Sequence, residues 1–254
     1  MEGKNVEISL SVEKSLTVLN QLCKGPFEYK ITELAKLTKI NRTTLYRILN
    51  TFENDGIITK SKDMKSYKLG PKMYEMGSIY LSNFKYGDHI FPILDKISHI
   101  SKESVGFAIR DNERVISLYE IEVDQPLKMN YRQGIIYPMN RGCYGKCLMA
   151  YYNESRLIEM LDEQTFDKLS TGTLVDPKDI LDEYEKIRIQ KFVTSIDEVS
   201  PHIAGVGIPI CNSSGEVKAC VAISFFKSDT WQEKIVELKN LLYEYKDEIS
   251  RYII

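Results

Sequence analysis

The sequence is poor in the residues from which metal centres and disulfide frameworks are built. It has five cysteines and three histidines in 254 residues, and the cysteines form no CxxC pair. Structural zinc sites and disulfide-rich secreted domains depend on such spacings and on paired cysteines. We therefore expect no metal, no cofactor and a reducing, cytoplasmic environment.

Long hydrophobic runs are also missing. The longest apolar stretch, residues 219–226, is much shorter than the roughly 20 residues that a membrane-spanning helix needs. The first ten residues, MEGKNVEISL, lack the apolar core of a secretory signal. The expectation is a cytoplasmic protein with no membrane partner.

Charge is distributed unevenly along the chain. Residues 1–70 contain 12 Lys and Arg against 8 Asp and Glu, which gives a net charge of +4. Residues 71–254 contain 22 and 28, which gives −6. A basic first part and an acidic second part suggest two functions, one of which faces a polyanion.

The first seventy residues predict a winged helix-turn-helix. Helical patterns cover residues 11–23, a short segment capped by Thr32, and a segment from Asn41 to a left-handed stop at Gly56. Ser11 is the expected cap of the first of these helices. Two short strand patterns with a basic tip follow Gly56, as expected of a wing.

The helix that follows Asn41 has two distinct faces. Its apolar residues recur three and four positions apart, which predicts a face packed into a core. The other face carries Arg and Thr near the helix start, where helix-turn-helix proteins meet base edges and phosphates in the major groove. The predicted DNA contacts are Thr32, Asn41, Arg42, Thr43, Thr44, Tyr46, Arg47, Lys62, Lys65 and Tyr67.

The residue pattern of the chain also permits functions other than DNA binding. A helix-turn-helix can be a protein-interaction module, and a surface of Arg and Thr also suits plain solvent exposure. A small-molecule enzyme is the further alternative, because Cys143 stands near a predicted helix start, where a thiol pKa can fall. No base is recognisable beside Cys143, and residues 142–146 lack a Walker pattern, so we predict no catalytic residues.

Several segments of the chain resemble the IclR family of bacterial transcriptional regulators. The family's Ser/Thr-x-x-Tyr-Arg pattern on the recognition helix corresponds to residues 43–47 (TTLYR), and its Tyr-x-Leu-Gly wing motif to residues 67–70 (YKLG). YRQGIIYPMNRGCYGKCLMA (131–150) and SPHIAGVGIPICNSSGEVKACVAISF (200–225) are similar to later family segments. The resemblance covers nearly the whole chain from about residue 10.

The resemblance implies an α+β protein with three parts. These are a winged helix-turn-helix DNA-binding domain (1–70), a linker helix used for dimer contact (71–85), and a GAF-like α/β effector-binding domain with an antiparallel sheet (86–254). From the residue pattern itself, we expect helices to cover one side of that sheet.

The resemblance also implies where an effector is held. The matching positions are Cys143, Tyr144, Ser195, Gly205, Ser224 and Phe226. Some family members carry an acidic residue at the position of Ser195, and Cys and Ser at the positions of Gly205 and Phe226. Backbone N–H groups at the start of the helix predicted near 142–152 can hold a carboxylate.

The resulting hypothesis is a transcriptional regulator, expected to act as a repressor, that binds a double-stranded DNA operator as a homodimer or a dimer of dimers. A small-molecule effector, an organic acid or an aromatic metabolite, would control it by favouring one state over another. The sequence leaves the operator, the effector and the sign of regulation open.

Overall fold

The computed structural model describes residues 9–61, 65–83, 86–123 and 133–253. The chain divides into two compact units, Met1–Phe84 and Lys85–Ile254. Lys62, one of the predicted DNA contacts, lies outside the described residues. Within the described ranges, every helix is too short or too polar to cross a membrane.

The first unit combines helices with a small antiparallel sheet, as the sequence predicts. The elements are α1 (Leu10–Leu22), β1 (Tyr29–Lys30), α2 (Ile31–Thr38), α3 (Arg42–Asn54), β2 (Ile58–Lys60), β3 (Ser66–Leu69) and α4 (Pro71–Asn83). The three short strands pair in the order β1-β3-β2, and strands β2 and β3 form the wing hairpin.

The predicted cap of α1 is wrong by two positions. The helix begins at Leu10, and Ser9 has the extended backbone of an N-cap residue. Ser11 therefore lies inside the first turn, where its carbonyl accepts a hydrogen bond from the Ser15 hydroxyl at 2.8 Å. The Ser9 side chain makes no capping hydrogen bond.

The start of α2 also differs from the prediction. Strand β1 runs directly into the helix, so Lys30 takes the N-cap position and Thr32 lies in the first turn. Glu33 stabilises this start, because its Oε2 accepts the Lys30 N–H at 2.7 Å. Thr32 remains exposed.

The core of the first unit draws on α1, α2, α3 and the wing. Apolar side chains from each of these elements are buried together. They include Val18, Leu22, Leu34, Leu45, Leu49, Ile58 and Tyr67. This shared core fixes α3 against the wing, so that the opposite face of α3 is left for solvent.

The second unit is built on a six-stranded antiparallel sheet. Its strands are β4 (Ser104–Asp111), β5 (Arg114–Ile121), β6 (Ile136–Tyr137), β7 (Val193–Ile196), β8 (Ile203–Cys211) and β9 (Val217–Phe226), and they lie in the order β6-β5-β4-β9-β8-β7. The helices are α5 (Tyr86–Ser101), α6 (Cys143–Met149), α7 (Glu154–Asp162), α8 (Pro177–Gln190) and α9 (Trp231–Ser250).

Helices cover both faces of this sheet, so the expectation of a single covered face is wrong. Ala108 and Cys220 face a core that α6, α7 and α8 complete. On the opposite face, Phe107 packs edge-to-face against Tyr86 of α5, and Phe225 lies under Lys234 of α9. The physical cause is the composition of β8 and β9, whose near-continuous apolar runs need cover on both sides.

Candidate functional site

The start of α3 is fixed by the cap that the sequence predicts. The Asn41 Oδ1 accepts the Thr44 N–H at 2.9 Å, which satisfies one of the unpaired donors of the first turn. At the other end, Gly56 has a φ of +71°, a left-handed conformation that glycine adopts without a steric penalty. The helix therefore begins and ends where predicted.

The two faces of α3 separate cleanly. Leu45 and Leu49 are fully buried, whereas Arg42, Thr43 and Arg47 are exposed. Such a face can offer guanidinium groups to phosphates or guanine edges and threonine side chains to bases. Tyr46 is also exposed, Thr44 is partly buried, and Thr32 lies exposed on the preceding helix.

The wing contributes less than its sequence suggests. Lys65 is exposed, but Lys60 is paired with Glu53 of α3 at 2.6 Å, and its charge is partly neutralised. Tyr67 is only 6% exposed and packs in the core, because alternate residues of β3 face inward. We therefore drop Tyr67 from the predicted DNA contacts.

The predicted effector residues of the second unit lie close together across the sheet. Ser195 of β7 pairs with Gly205 of β8, which pairs with Ser224 of β9, which pairs with Ser104 of β4. These four positions therefore form one row across neighbouring strands. Phe226, two residues after Ser224, lies on the same face of β9 and is partly exposed.

The first residue of α6 lies over this row. A Cβ added to Gly205 would be 3.1 Å from the Cys143 Sγ and 3.5 Å from the Ser224 Oγ, so the three positions adjoin. Cys143 is buried, and burial raises the pKa of its thiol. A thiol held in its neutral form is a poor nucleophile, which argues against the enzyme alternative.

The next residue of α6 reaches a different strand. The Tyr144 hydroxyl donates to Glu120 Oε2 at 3.1 Å, and the Tyr137 hydroxyl donates to Glu120 Oε1 at 3.2 Å. The two tyrosine rings meet edge to face, with centroids 4.9 Å apart. Burial raises the pKa of Glu120 to about 8, although the tyrosine hydroxyls act in the opposite direction.

An internal carboxylate occupies the start of α6. Glu198 Oε2 accepts the Gly142 N–H at 2.8 Å and the Ser195 hydroxyl at 2.9 Å. Its other oxygen accepts from Lys146 Nζ at 2.5 Å. The helix start predicted to hold an effector carboxylate is thus already bound to a carboxylate of the chain itself.

Lys146 anchors this network in the interior. Its side chain is 1% exposed, and Nζ also contacts Glu183 Oε1 at 2.8 Å and the Thr194 carbonyl at 2.7 Å. Burial by itself lowers the pKa of Lys146, but Glu198 and Glu183 outweigh it, so the net shift is upward. Lys146 therefore remains a cation that holds α6, α8 and the segment after β7 together.

Comparison with known families connects the two units. A family model described as the IclR helix-turn-helix domain matches residues 11–62, and one described as the C-terminal part of the bacterial transcriptional regulator IclR matches residues 79–251. The chain belongs to the IclR family. It is accordingly a DNA-binding transcriptional regulator controlled by a small-molecule effector, and not an enzyme.

Curated IclR-family relatives align over most of their length. The regulator KipR of Bacillus subtilis is 22% identical over 100% of this chain and 99% of its own. The acetate operon repressor of Salmonella typhimurium is 22% identical over 94% of this chain and 88% of its own.

Solved IclR structures share the fold. A regulator from Alicyclobacillus acidocaldarius superposes with a TM-score of 0.82 at 21% identity and covers 96% of this chain and 98% of its own. An IclR homologue from Microbacterium hydrocarbonoxydans, solved in complex with 4-hydroxybenzoate, has a TM-score of 0.76 at 16% identity, with 94% and 98% coverage.

Sequence reasoning missed the two carboxyl groups that lie beside the predicted effector residues. Glu120 and Glu198 come from a strand and a loop that carry no local motif, and both act on residues distant in sequence. No local pattern could have found them, because Glu120 comes to pair with Gly106 of β4, and Glu198 to meet the start of α6, only in the folded chain.

Proposed function

We propose that this regulator is a repressor that binds its operator through α3 and the wing, and that an effector in the second unit changes its affinity for DNA. The exposed, capped start of α3, with Arg42, Thr43 and Arg47 on one face, is the observation that carries the proposal. The remaining contacts are assigned to Thr32, Asn41, Thr44, Tyr46 and Lys65, with Lys62 as a further candidate. Repression is supported by the relative named for repressing the acetate operon.

We also propose a cytoplasmic homodimer, or a dimer of two dimers, with domains at 1–70, 71–85 and 86–254. Apolar side chains are exposed along α4, which lies within the proposed linker, and Tyr74 is 82% exposed. Exposed apolar surface of this kind marks protein interfaces. The exposed residues are Tyr74, Met76, Ile79, Tyr80 and Leu81.

A dimer would place two copies of α3 on two half-sites of a pseudo-palindrome. Sedimentation velocity of the wild-type chain should give a dimer or a tetramer, and Tyr74→Lys with Ile79→Lys should shift it to a monomer. Lys72→Gln, a polar change on the same helix, should leave the assembly intact. A monomeric wild type at micromolar concentration would contradict this part of the proposal.

Of the two effector classes, the aromatic metabolite has the better support. The α6 start and the Ser195 hydroxyl already hold Glu198, so an effector carboxylate would have to displace it. Rings of Tyr137 and Tyr144 lie beside the same sheet face. The homologue solved with 4-hydroxybenzoate shows that a protein of this fold accommodates an aromatic ligand.

The proposal is tested by titrating the full chain against labelled duplexes and measuring fluorescence anisotropy. One duplex carries the upstream region of the protein's own gene, and the other carries the same bases in shuffled order. We expect the upstream duplex to bind at least about 10³-fold more tightly, as specific sites do. Equal affinity for the two duplexes would contradict sequence-specific regulation.

A further inference from the structure

Glu120, Tyr137 and Tyr144 form a hydrogen-bonded cluster in the second unit. Of these three residues, only Tyr144 is among the predicted effector residues. Three elements supply it: β5, β6 and the first turn of α6. Both tyrosine hydroxyls donate to the one carboxyl group, at 3.1 and 3.2 Å. These distances exceed the usual 2.7–2.8 Å for such bonds, so a better-placed donor could compete for the carboxyl oxygens.

Gly106 makes this cluster possible. A Cβ added there would lie 1.9 Å from the Tyr144 hydroxyl and 2.1 Å from Glu120 Oε2. The two polar groups therefore lie directly over the backbone of β4, in space that any other residue would fill. The Tyr144 hydroxyl and Glu120 Oε2 are the ends of side chains that can move. We therefore expect an alanine at position 106 to displace them without disrupting the pairing of β4 with its neighbours.

The cluster borders the row of predicted effector residues. Gly106 pairs with Ala222 of β9, which is two residues from Ser224 and faces the same side of the sheet. Cys143 lies over Gly205 of the row, and the adjacent Tyr144 reaches Glu120. The Tyr144 hydroxyl and Glu120 cover the sheet at Gly106, and the Cys143 thiol covers it at Gly205, so a ligand that reaches this row must displace side chains.

Charge restricts what can bind beside Glu120. The nearby Lys146 already contacts Glu183 and Glu198 and offers no compensating cation. Because burial raises the pKa of Glu120 to about 8, its carboxyl group is mostly neutral at pH 7, and the cost of binding an ionised ligand carboxylate here is that of removing it from water without a cation as partner. A neutral ligand group that donates a hydrogen bond meets no such cost, and it can take the place of the Tyr137 or Tyr144 hydroxyl at a carboxyl oxygen of Glu120, which also has a hydrogen bond with Ser117.

We propose that Glu120, with the hydroxyls of Tyr137 and Tyr144, recognises an uncharged hydrogen-bond donor on the effector, such as a phenolic hydroxyl. This deepens the proposed function and rests on it, since it places the recognising group beside the proposed effector row. The hydroxyl of the effector meets Glu120, and its ring displaces side chains that cover the small residues of the sheet in this structure.

Three small aromatic probes test the proposal with the full-length protein. Phenol has the donor, anisole replaces the hydroxyl hydrogen with a methyl group, and benzoate carries an ionised carboxylate. Their affinities are measured from the rise in melting temperature across a millimolar titration. We expect phenol to bind about tenfold more tightly than anisole, the worth of one hydrogen bond, and benzoate to bind most weakly.

Variants test whether the preference for phenol over anisole depends on the cluster of Glu120, Tyr137 and Tyr144. Glu120→Leu should abolish the preference for phenol over anisole, and Gly106→Ala should reduce it by displacing Glu120 and Tyr144. Glu120→Gln retains an acceptor oxygen and should keep most of the preference. Glu216→Gln, at an exposed position in the β8–β9 turn, is the matched control and should bind all probes as the wild type does.

The outcomes separate this inference from the proposed function. Equal binding of phenol and anisole to the wild type, a preference for benzoate, or no binding of phenol would overturn the inference, whatever the variants do. An unchanged phenol preference in folded Glu120→Leu would also overturn it. Any of these results together with specific binding to the upstream duplex would leave the regulator proposal intact.

Discussion

The starts of two helices, α3 and α6, differ in the structure: the start of α3 is exposed, whereas the start of α6 binds a carboxylate of the chain itself. The sequence predicts that each of them binds an external anion. At α3, Asn41 caps the helix from within its own turn, and Arg42 and Thr43 remain exposed beside it. At α6, the Gly142 N–H binds Glu198, a carboxylate that comes from 56 residues further along the chain. The first start is available to an external polyanion, while the second is already occupied.

The difference shows how far local sequence signals extend. Helix α3 is defined by the Asn41 cap, which binds the Thr44 N–H three residues later, by an apolar face and by Gly56 after its end. All three signals lie within a short stretch of sequence. The partner of α6 depends on the fold bringing the segment after β7 against it, which no local pattern specifies. Variants at each helix start can therefore test whether the start of α3 is accessible to an external anion and whether the start of α6 is bound by buried groups of the chain itself.

The largest expected effect comes from breaking the network at α6. Lys146→Ala would leave Glu183 and Glu198 buried without their cation, and we expect the free energy of unfolding to fall by about 3–5 kcal/mol. Lys186→Ala is the matched control, because Lys186 also faces Glu183, at 3.6 Å, but its side chain is 62% exposed. The control should cost about 0–1 kcal/mol.

Urea unfolding of the two variants, followed by circular dichroism, measures this difference. Equal losses for Lys146→Ala and Lys186→Ala would mean that the charges beneath α6 are solvated. In that case the contrast between the two helix starts would not hold.

A second, smaller effect concerns the pH dependence of stability. Since the pKa of Glu120 rises to about 8 from an ordinary 4.5, the folded state binds one more proton than the unfolded state between these values. Stability from this group is therefore lost as pH rises through that window. The Glu120→Gln side chain cannot ionise. The melting temperature of the variant minus that of the wild type should therefore increase as the pH rises from about 5 to about 8.

Glu216→Gln provides the opposite case. A hydrogen bond from Lys218 lowers the pKa of Glu216, so this residue is ionised in both states above its ordinary value. Its melting difference from the wild type should be constant between about pH 5 and pH 8. A constant difference for Glu120→Gln as well would show that Glu120 is solvated and ionised.

The smallest effect tests the open helix start. Asn41→Ala removes the side chain that accepts the Thr44 N–H and should destabilise the first unit by about 1 kcal/mol. Ser9→Ala is its matched control, because Ser9 occupies the N-cap position of α1 without a capping hydrogen bond. Thermal melting that moved equally in both variants would show that the Asn41 cap contributes nothing.

Most of the fold was predictable because long elements carry a period. The apolar positions of α3 and the two hairpins of the sheet, with turns at Asn112 and at residues 212–215, follow from local pattern. Strands β1 and β6 are two residues long and have no period to read. Helices on both sheet faces were missed, although the apolar runs of β8 and β9 signal two-sided burial.

The candidate sites were predictable to different degrees for the same reason. Arg42, Thr43 and Arg47 are exposed as the helical period requires. Tyr67 belongs to a wing motif, yet strand alternation turns it into the core. Glu120 contacts Gly106 and Tyr144 only because the fold brings β4, β5 and α6 together, and the spacing of these residues in the sequence does not predict such a contact.

The most direct test of the account is the salt dependence of DNA binding by wild type and Arg47→Ala. With the upstream duplex, Arg47→Ala should lose about 1–3 kcal/mol of binding free energy, and the slope of log K against log salt should shrink by about one. Lys186→Ala, which removes one positive charge from the second unit, should keep the wild-type affinity and slope. Unchanged affinity and slope in Arg47→Ala would contradict the claim that the exposed face of α3 contacts DNA.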